Sequence, residues 1–390
     1  MRTQVGIVGA GPAGLLLSHL LHQRGIESVV LESRSRAYVE RRLRAGVLEQ
    51  GSVDLLRRSG VGERLHREGM RHEGIELRFA GESYRVPMTE LTGRAITVYG
   101  QQEVVKDLIA ARLAAGGTIL FETEAVRLSG LDSDSPTIHH RRDGRVEELR
   151  CDFVAGCDGF HGVSRGAVPE GVLTTYERTY PFAWLGVLAA AAPAVEELIY
   201  ANHERGFALY SMRSPEISRL YLQVAPDEDL DAWPDERIWA ELRTRLETVP
   251  GWSLNEGPIL EKSVTPMRSL VVEPMRWERL FLAGDSVHIV PPTGAKGMNL
   301  ALADVALLGD AFAAWYQHHS PDLLDSYSAT ALRRVWRAQH FSWWMTSMLH
   351  RLEHDDPYER NLQIATLRYV ATSRAYATSL AENYVGLPEV

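Results

Sequence analysis

Gln4-Val-Gly-Ile-Val-Gly-Ala-Gly-Pro-Ala-Gly14 opens this chain with an apolar strand over Gln4 to Val8 and then three glycines in the spacing GxGxxG. Gly9 permits a tight turn, Gly11 lets a pyrophosphate approach the backbone, and Gly14 allows close helix–strand packing. A helix to about Arg24 and a second strand ending Val29-Val-Leu-Glu32 follow. Glu32 falls eighteen residues after Gly14, where an acid is expected to bind the ribose hydroxyls of an adenosine. The glycines alone are a common pattern. With the strand, the helix and the acid they predict a dinucleotide-binding unit.

Two further strand-end turns lie far down the chain. Phe153-Val-Ala-Gly156-Cys-Asp158-Gly159-Phe-His161 runs an apolar strand into Gly and Asp, then on to Ser164 and Arg165. Arg279-Leu-Phe-Leu-Ala-Gly-Asp285 does the same, and a second glycine-bearing loop, Pro291 to Asn299, opens the apolar helix Leu300 to Leu308. The exposed N–H groups and positive dipole end of such a helix suit an anionic or electron-rich ligand edge. Read singly, each is an ordinary strand–turn corner. Three of them in a chain with an adenosine motif point to one nucleotide site assembled from distant segments.

Composition narrows the classes. The 390 residues are 45% hydrophobic with a net charge of −9, which suits a globular enzyme and gives no support to nucleic-acid binding. Cys151 and Cys157 make no disulfide framework, and no CxxC or Cys/His cluster suggests a metal. Apart from the N-terminal run that the glycine turn interrupts, the apolar stretch Pro181 to Val195 is about 15 residues, short of the roughly 20 that span a bilayer. A soluble, cytoplasmic protein with no membrane association is therefore the expectation.

The pattern of elements predicts an α/β fold: a Rossmann-like domain over residues 1–175 and 266–320, an inserted strand-rich substrate sheet over 176–265, and a helical C-terminal region over 321–390. Strands are expected over Phe182 to Leu188, Glu197 to Tyr200, Phe207 to Ser211 and Arg219 to Val224, with helices at Glu103 to Ala114 and Asp235 to Leu246. Leu220, Leu222 and Val224 alternate with Tyr221 and Gln223, so one face packs and the other meets a cavity or solvent. An insertion of this kind places a pocket at the domain interface.

GxGxxG, then the DG turn, then the GD turn, in that order, resembles the single-component FAD-dependent aromatic hydroxylases. Other segments carry the likeness over nearly the whole chain: Arg44-Ala-Gly-Val-Leu-Glu-Gln-Gly51, Glu197-Leu-Ile-Tyr-Ala-Asn-His203, Ile289-Val-Pro-Pro-Thr-Gly-Ala-Lys-Gly297, Phe341-Ser-Trp-Trp-Met-Thr346 and Ala381-Glu-Asn-Tyr-Val-Gly-Leu-Pro388. The resemblance implies non-covalent FAD, NAD(P)H as co-substrate, and hydroxylation of a small aromatic acid, 4-hydroxybenzoate, by O2 through a flavin C4a-hydroperoxide. It also implies a homodimer.

Residue by residue, the resemblance implies that Arg213 clamps the substrate carboxylate, with hydroxyls from Ser211 and Tyr221. Tyr200 and Tyr384 would relay the phenol proton, with His72 at the solvent end and the Pro292 carbonyl near the substrate hydroxyl. Cofactor contacts would come from Gly9, Gly11, Gly14, Glu32, Arg42, Arg44, Gln101, Asp158, Asp285 and the run Lys296, Gly297, Met298 and Asn299. Arg219 would hold the flavin in its working position. His161 and Arg268 match coenzyme pyrophosphate positions, and Tyr38 and Arg42 the segment near the adenosine 2′-phosphate. One departure stands out: Ser33 follows the strand-end acid where NADPH-preferring relatives commonly carry Arg, while Arg34, Arg36 and Arg41 sit at shifted positions. NADH use is therefore expected. Other classes remain open on the residues alone. A flavin-dependent halogenase lacks its Trp-x-Trp-x-Ile-Pro signature here, since Trp343-Trp344 does not supply it. A reductase, a hydroxylase of another phenolic acid, or a flavin-binding protein without turnover would each be separated by an NAD(P)H oxidation assay.

Overall fold

A six-stranded sheet forms around Val5–Val8, which is buried along its whole length, as expected for a parallel strand covered on both faces. The computed structural model describes residues 1–42, 44, 46–352 and 356–387, so Ala45 and Pro388 of the segments quoted above lie outside it. Val5–Val8 pairs in parallel with Ser28–Leu31 on one side and Phe153–Gly156 on the other. Leu280–Leu282 and Thr118–Leu120 extend the sheet, and Arg276–Trp277 closes one edge antiparallel. The register sets Val8 opposite Leu31 and Gly156, and Gly156 opposite Leu282. All three glycine turns therefore leave the sheet at its carboxyl edge, where open α/β sheets bind ligands.

Pro12–Gln23, Gln101–Ala114 and Gly297–His318 cover this sheet. The last is long and apolar enough by composition to cross a membrane, yet 72% of its most apolar window is buried inside the protein. It starts three residues before the expected Leu300, because the Lys296 carbonyl already accepts from the Leu300 N–H at 2.9 Å.

The second layer is an eight-stranded sheet containing Thr174–Ala189, Leu198–Asn202, Ala208–Ser214, Ile217–Val224 and Ile259–Glu273. It also takes in Ile75–Phe79 and Glu82–Val86 from the N-terminal segment and His288–Ile289 beside the GD turn. Ile217–Val224 alternates as expected, with Ser218, Leu220, Leu222 and Val224 buried and Arg219, Tyr221 and Gln223 only half-buried. Helix Asp235–Leu246 falls on the expected residues and buries Ile238, Trp239, Leu242 and Leu246. Helices Asp322–Leu349, Pro357–Thr372 and Arg374–Val385 follow, the first contributing to both cores and the last packing on helices Met88–Thr92 and Pro357–Thr372.

Candidate active site

The first glycine turn is built as its spacing requires. Gly9 has φ +103°, and a side-chain carbon there would sit 2.3 Å from the Cys157 carbonyl. One at Gly14 would sit 2.0 Å from the Gly9 carbonyl, whereas Gly11 faces open space. That open position, between two glycines that cannot be replaced, is the cradle a pyrophosphate needs. Glu32 Oε2 accepts from the Ala10 N–H at 2.9 Å and Oε1 from the Arg34 N–H at 2.8 Å, so the acid is tied to the turn it serves. Asp158 is turned inward: Oδ2 accepts from the Ser164 N–H (2.9 Å) and hydroxyl (2.8 Å), while Oδ1 is buried and unpaired. Burial pushes its carboxyl above the usual range. Asp158 thus shapes its own turn.

At the GD turn, Gly284 has φ +68° and its N–H donates to Asp304 Oδ2 at 2.9 Å. The same oxygen meets His288 Nε2 at 2.6 Å, and both side chains are buried. Burial opposes a charge on His288, but Asp304 outweighs it and raises the imidazole above its ordinary value. This pair, which the sequence reading did not single out, leaves Asp285 exposed on the cleft side. Arg44 lies within its field. Burial lowers the Arg44 guanidinium, Arg42 lowers it further and Asp285 opposes both. Arg44 is nevertheless solvent-exposed, the combination expected of a side chain lining a cleft. Gln101 opens helix Gln101–Ala114 and is half-buried.

Beyond Ala295, which has φ +53°, the long helix begins. Lys296 Nζ donates to Glu49 Oε1 at 2.7 Å, to the Tyr384 carbonyl at 3.1 Å and to the Asn383 carbonyl. Burial lowers the Lys296 ammonium and Glu49 opposes the shift. Asn299 Oδ1 accepts from the Glu49 N–H at 2.9 Å, and its amide donates to Val47 (3.0 Å) and Ala295 (2.8 Å). The side chains of Lys296 and Asn299 are therefore committed within the protein. What remains for a ligand is the first-turn N–H groups around Gly297, Met298 and Asn299, and the helix dipole. Glu49 is the residue sequence reasoning missed; an acid between apolar Val47-Leu48 and Gln50 was its only signal.

The substrate-side residues converge on one face of the large sheet. Tyr200 stands opposite Leu209, Leu209 opposite Tyr221, and Ser211 opposite Arg219. Side chains alternate along a strand, so Tyr200, Ser211, Tyr221 and Arg219 share that face. The register slips between Met212 and Ser214, placing Arg213 in a bulge, a device that re-aims a side chain. Gly186, opposite Tyr221, makes room: a side-chain carbon there would lie 3.0 Å from the Arg219 guanidinium and 3.2 Å from the Tyr221 ring. Arg219 Nε donates to Tyr221 Oη at 3.3 Å, and Arg219 Nη1 is buried with no partner. Burial depresses the Arg213 guanidinium, Tyr221 resists, and Arg219 depresses it further. Burial also opposes ionisation of Tyr221, but Arg219 and Arg213 outweigh it and hold the phenol below its ordinary value. Among the described residues, no carboxylate pairs with either guanidinium. Ser211 Oγ donates to the Arg219 carbonyl at 2.8 Å, which leaves its lone pairs as acceptors.

Tyr200 and Tyr384, both buried, share a short hydroxyl–hydroxyl hydrogen bond, and Tyr200 also meets the Thr293 carbonyl at 3.2 Å. Burial holds both phenols above their ordinary range. The Pro292 carbonyl accepts from the Ala295 N–H at 2.9 Å, and the next carbonyl, of Thr293, is the one that reaches the tyrosine pair. His72 is buried and neither ring nitrogen has a partner. Desolvation pushes it down to about 4, against the pull of Glu197. The structure gives it no hydrogen bond to Tyr384.

The coenzyme candidates fall into two groups. His161 stacks edge-on against Phe160, with ring centroids 4.9 Å apart, and Arg268 lies 3.9 Å over the same ring. Tyr38 and Arg42 lie at the surface on and just after helix Arg36–Arg41, with Arg34 over the Tyr38 ring at 5.4 Å. Among the described residues no group of three or more His, Cys, Asp or Glu is placed to hold a metal.

Residues 2–342 match the family described as the FAD binding domain, so the fold and its glycine turns define an FAD-dependent oxidoreductase. The p-hydroxybenzoate hydroxylase of Acinetobacter baylyi is 49% identical over 389 residues, covering 100% of this chain and 96% of that one. The chain belongs to the p-hydroxybenzoate hydroxylase family of FAD-dependent aromatic monooxygenases. A rifampicin monooxygenase from Streptomyces venezuelae is 28% identical, over 83% of this chain and 67% of its own length. Among solved structures, p-nitrophenol 4-monooxygenase from Pseudomonas putida matches with a TM-score of 0.80 at 19% identity, covering 99% of each chain, a likeness of fold.

Proposed function

We propose that this enzyme hydroxylates 4-hydroxybenzoate to 3,4-dihydroxybenzoate with O2 and NAD(P)H, its substrate lying on the sheet face that carries Tyr200, Ser211, Arg213 and Tyr221. The observation that carries the reading is the pair of guanidiniums, Arg213 and Arg219, meeting Tyr221 with no acidic partner among the described residues. Two neighbouring cations without a counter-charge, one held down by burial and the other with a buried unpaired Nη1, are costly, and a substrate carboxylate supplies the missing charge. The identity of the relative named above supports the same substrate.

The glycine turns, Glu32 and the helix start near Gly297 would hold FAD non-covalently, and the bound flavin would supply the NAD(P)H-driven activation of O2, one oxygen atom going to the ring and the other to water. The protein's own part is positional and acid–base. Arg213 and Tyr221 fix the carboxylate, and Ser211 joins them when its hydroxyl turns from the Arg219 carbonyl to donate. Tyr200 takes the phenol proton as its own hydroxyl proton swings from the Thr293 carbonyl to Tyr384, leaving a phenolate, the better nucleophile. Burial raises both tyrosines, so the pair transfers a proton without itself remaining ionised. His72, neutral at neutral pH, is the proposed outlet to solvent.

The division into a discontinuous FAD domain (1–175 and 266–320), a substrate sheet (176–265) and a helical region (321–390) is part of the same proposal, with the correction that Ile75–Phe79, Glu82–Val86 and His288–Ile289 join the substrate sheet and that Thr174–Ala189 and Ile259–Glu273 run across its boundaries. So are a soluble, cytoplasmic location and a homodimer, which the exposed Trp336 and Trp343, seven residues apart on helix Asp322–Leu349, support. Sedimentation equilibrium tests the dimer. The function is tested by NADH and NADPH oxidation with and without 4-hydroxybenzoate, the product identified by mass. Coenzyme consumption without a hydroxylated product refutes it.

A further inference from the structure

Behind the proposed substrate site runs a buried chain of contacts that touches both of its ends. At the phenol end, Tyr200 donates to the Thr293 carbonyl at 3.2 Å, and the Thr293 hydroxyl meets the Thr346 hydroxyl at 2.8 Å. One helical turn on, His350 Nδ1 meets the Thr346 carbonyl at 3.0 Å, and Trp184 Nε1 donates to His350 Nε2 at 2.7 Å. At the carboxylate end, the Trp184 ring lies 4.8 Å from the Tyr221 ring. An indole N–H can only donate, so Nε2 of His350 is the acceptor and Nδ1 carries the proton given to Thr346. One tautomer satisfies the whole chain. Burial pushes His350 down to about 3, which keeps the imidazole neutral and that tautomer intact at neutral pH.

The surroundings leave these groups no alternative. Thr293, Thr346 and His350 have no exposed surface, and Trp184 has 3%. His350 lies nearly parallel to Phe182 at 4.6 Å and is 4.3 Å from Phe207, whose ring is 6.1 Å from that of Tyr200. Asn202, two residues from Tyr200, donates to the Met348 and Leu349 carbonyls at 3.3 and 3.2 Å. The tyrosine strand, the Thr293 loop and the Trp184 strand are thus all referenced to the last turn of helix Asp322–Leu349.

We propose that Thr293, Thr346, His350 and Trp184 act as a spacer that fixes the distance between the phenol-binding and carboxylate-binding ends, so that the enzyme selects phenolic acids by length. The inference rests on the substrate site proposed above. These are positioning residues, since they act through Tyr200 and Tyr221. The links are buried hydrogen bonds, with a ring contact at the Tyr221 end, so breaking one lets its end of the site drift and relaxes the discrimination that a fixed pocket gives against one added methylene, on the order of 10- to 200-fold.

The experiment compares kcat/KM for 4-hydroxybenzoate with that for 4-hydroxyphenylacetate, one methylene longer, in the holoenzyme. Thr346→Val breaks the hydroxyl link at nearly constant volume, Thr346→Ser restores it, and Trp184→Phe removes the indole donor while keeping a ring. The ratio is expected to fall about tenfold in Thr346→Val and in Trp184→Phe, and to stay within about twofold of the parent in Thr346→Ser, with FAD affinity unchanged in all three. Loss of general stability would lower both substrates together and leave the ratio alone. If Thr346→Val does not hold FAD, Trp184→Phe still breaks the chain at a different link. Ratios unchanged in Thr346→Val and Trp184→Phe, while Arg213→Gln abolishes 4-hydroxybenzoate binding, overturn the spacer and leave the site reading standing. If Arg213→Gln also binds normally, the site reading fails and the spacer with it.

Discussion

Replacing Arg213 with lysine keeps a positive charge in the bulge and removes a fork of donors. Among the described residues the guanidinium donates from Nη1 to the Met212 carbonyl at 3.2 Å, meets the Tyr221 hydroxyl, and has no carboxylate partner. The rest of the fork faces Tyr221 and the cleft, where a substrate carboxylate accepts two parallel N–H groups. Lysine offers a single ammonium on a flexible stem, so one charge-assisted hydrogen bond is lost; such bonds are worth roughly 1.5–3 kcal/mol, about 10- to 150-fold in affinity. Arg219, beside Tyr221, still attracts the carboxylate, so binding weakens rather than disappears. FAD affinity is expected to stay the same, because the glycine turns leave one sheet and Arg213 lies on the other. Titrating the holoenzyme with 4-hydroxybenzoate and following the flavin absorbance gives Kd directly, and FAD retention is measured in parallel. A Kd within twofold of the parent shows that Arg213 does not hold the carboxylate; equal losses of substrate and FAD affinity show that the bulge, not the contact, was disturbed.

Tyr200→Phe is expected to bind 4-hydroxybenzoate and consume NAD(P)H while losing most hydroxylation and releasing hydrogen peroxide, because the phenol keeps its proton; product formed per coenzyme oxidised measures this, and full coupling removes Tyr200 from the relay. NADH is expected to support turnover as well as NADPH or better. Ser33 is exposed beside Glu32, and a missing contact to the 2′-phosphate removes roughly 1.5–3 kcal/mol of NADPH preference. Comparing kcat/KM for both coenzymes in the parent and in Ser33→Arg decides it, and a parent that already prefers NADPH more than about a hundredfold means that Arg34, Arg36 or Arg42 has taken the role. Acid is expected to destabilise the fold through His72. Desolvation lowers it from 6.5 to about 4, so between those values the unfolded chain binds a proton that the folded one refuses. Stability therefore falls as pH drops through 6.5, by about 2 kcal/mol at pH 5. Urea unfolding at pH 7 and pH 5 should show a smaller loss in His72→Gln, and an equal loss refutes the shift.

Much of the architecture was readable because its determinants are local. The glycine spacing and Glu32 specify the turn, and the alternation over Ile217–Val224 gives the face on which Arg219 and Tyr221 lie. Helix Asp235–Leu246 carries its own apolar spacing and falls on the expected residues. The site residues were legible as types at positions, but their commitments were not. Lys296 and Glu49 meet across 247 residues of chain, and no periodicity encodes such a pair. Asp304 reads as a lone acid in an apolar helix until the fold brings the Gly284 N–H and His288 to it.

The turn that carries Thr293 shows the same limit. Pro292 and Thr293 share one turn of helix-like backbone; the Pro292 carbonyl accepts from the Ala295 N–H at 2.9 Å, and the Thr293 carbonyl meets Tyr200 at 3.2 Å. Ala295 adopts φ +53°, the reversal after which the long helix starts two residues later. Under the proposed function this short segment serves both sides of the reaction: its carbonyl meets the tyrosine pair, and the helix it opens offers first-turn N–H groups to a cofactor.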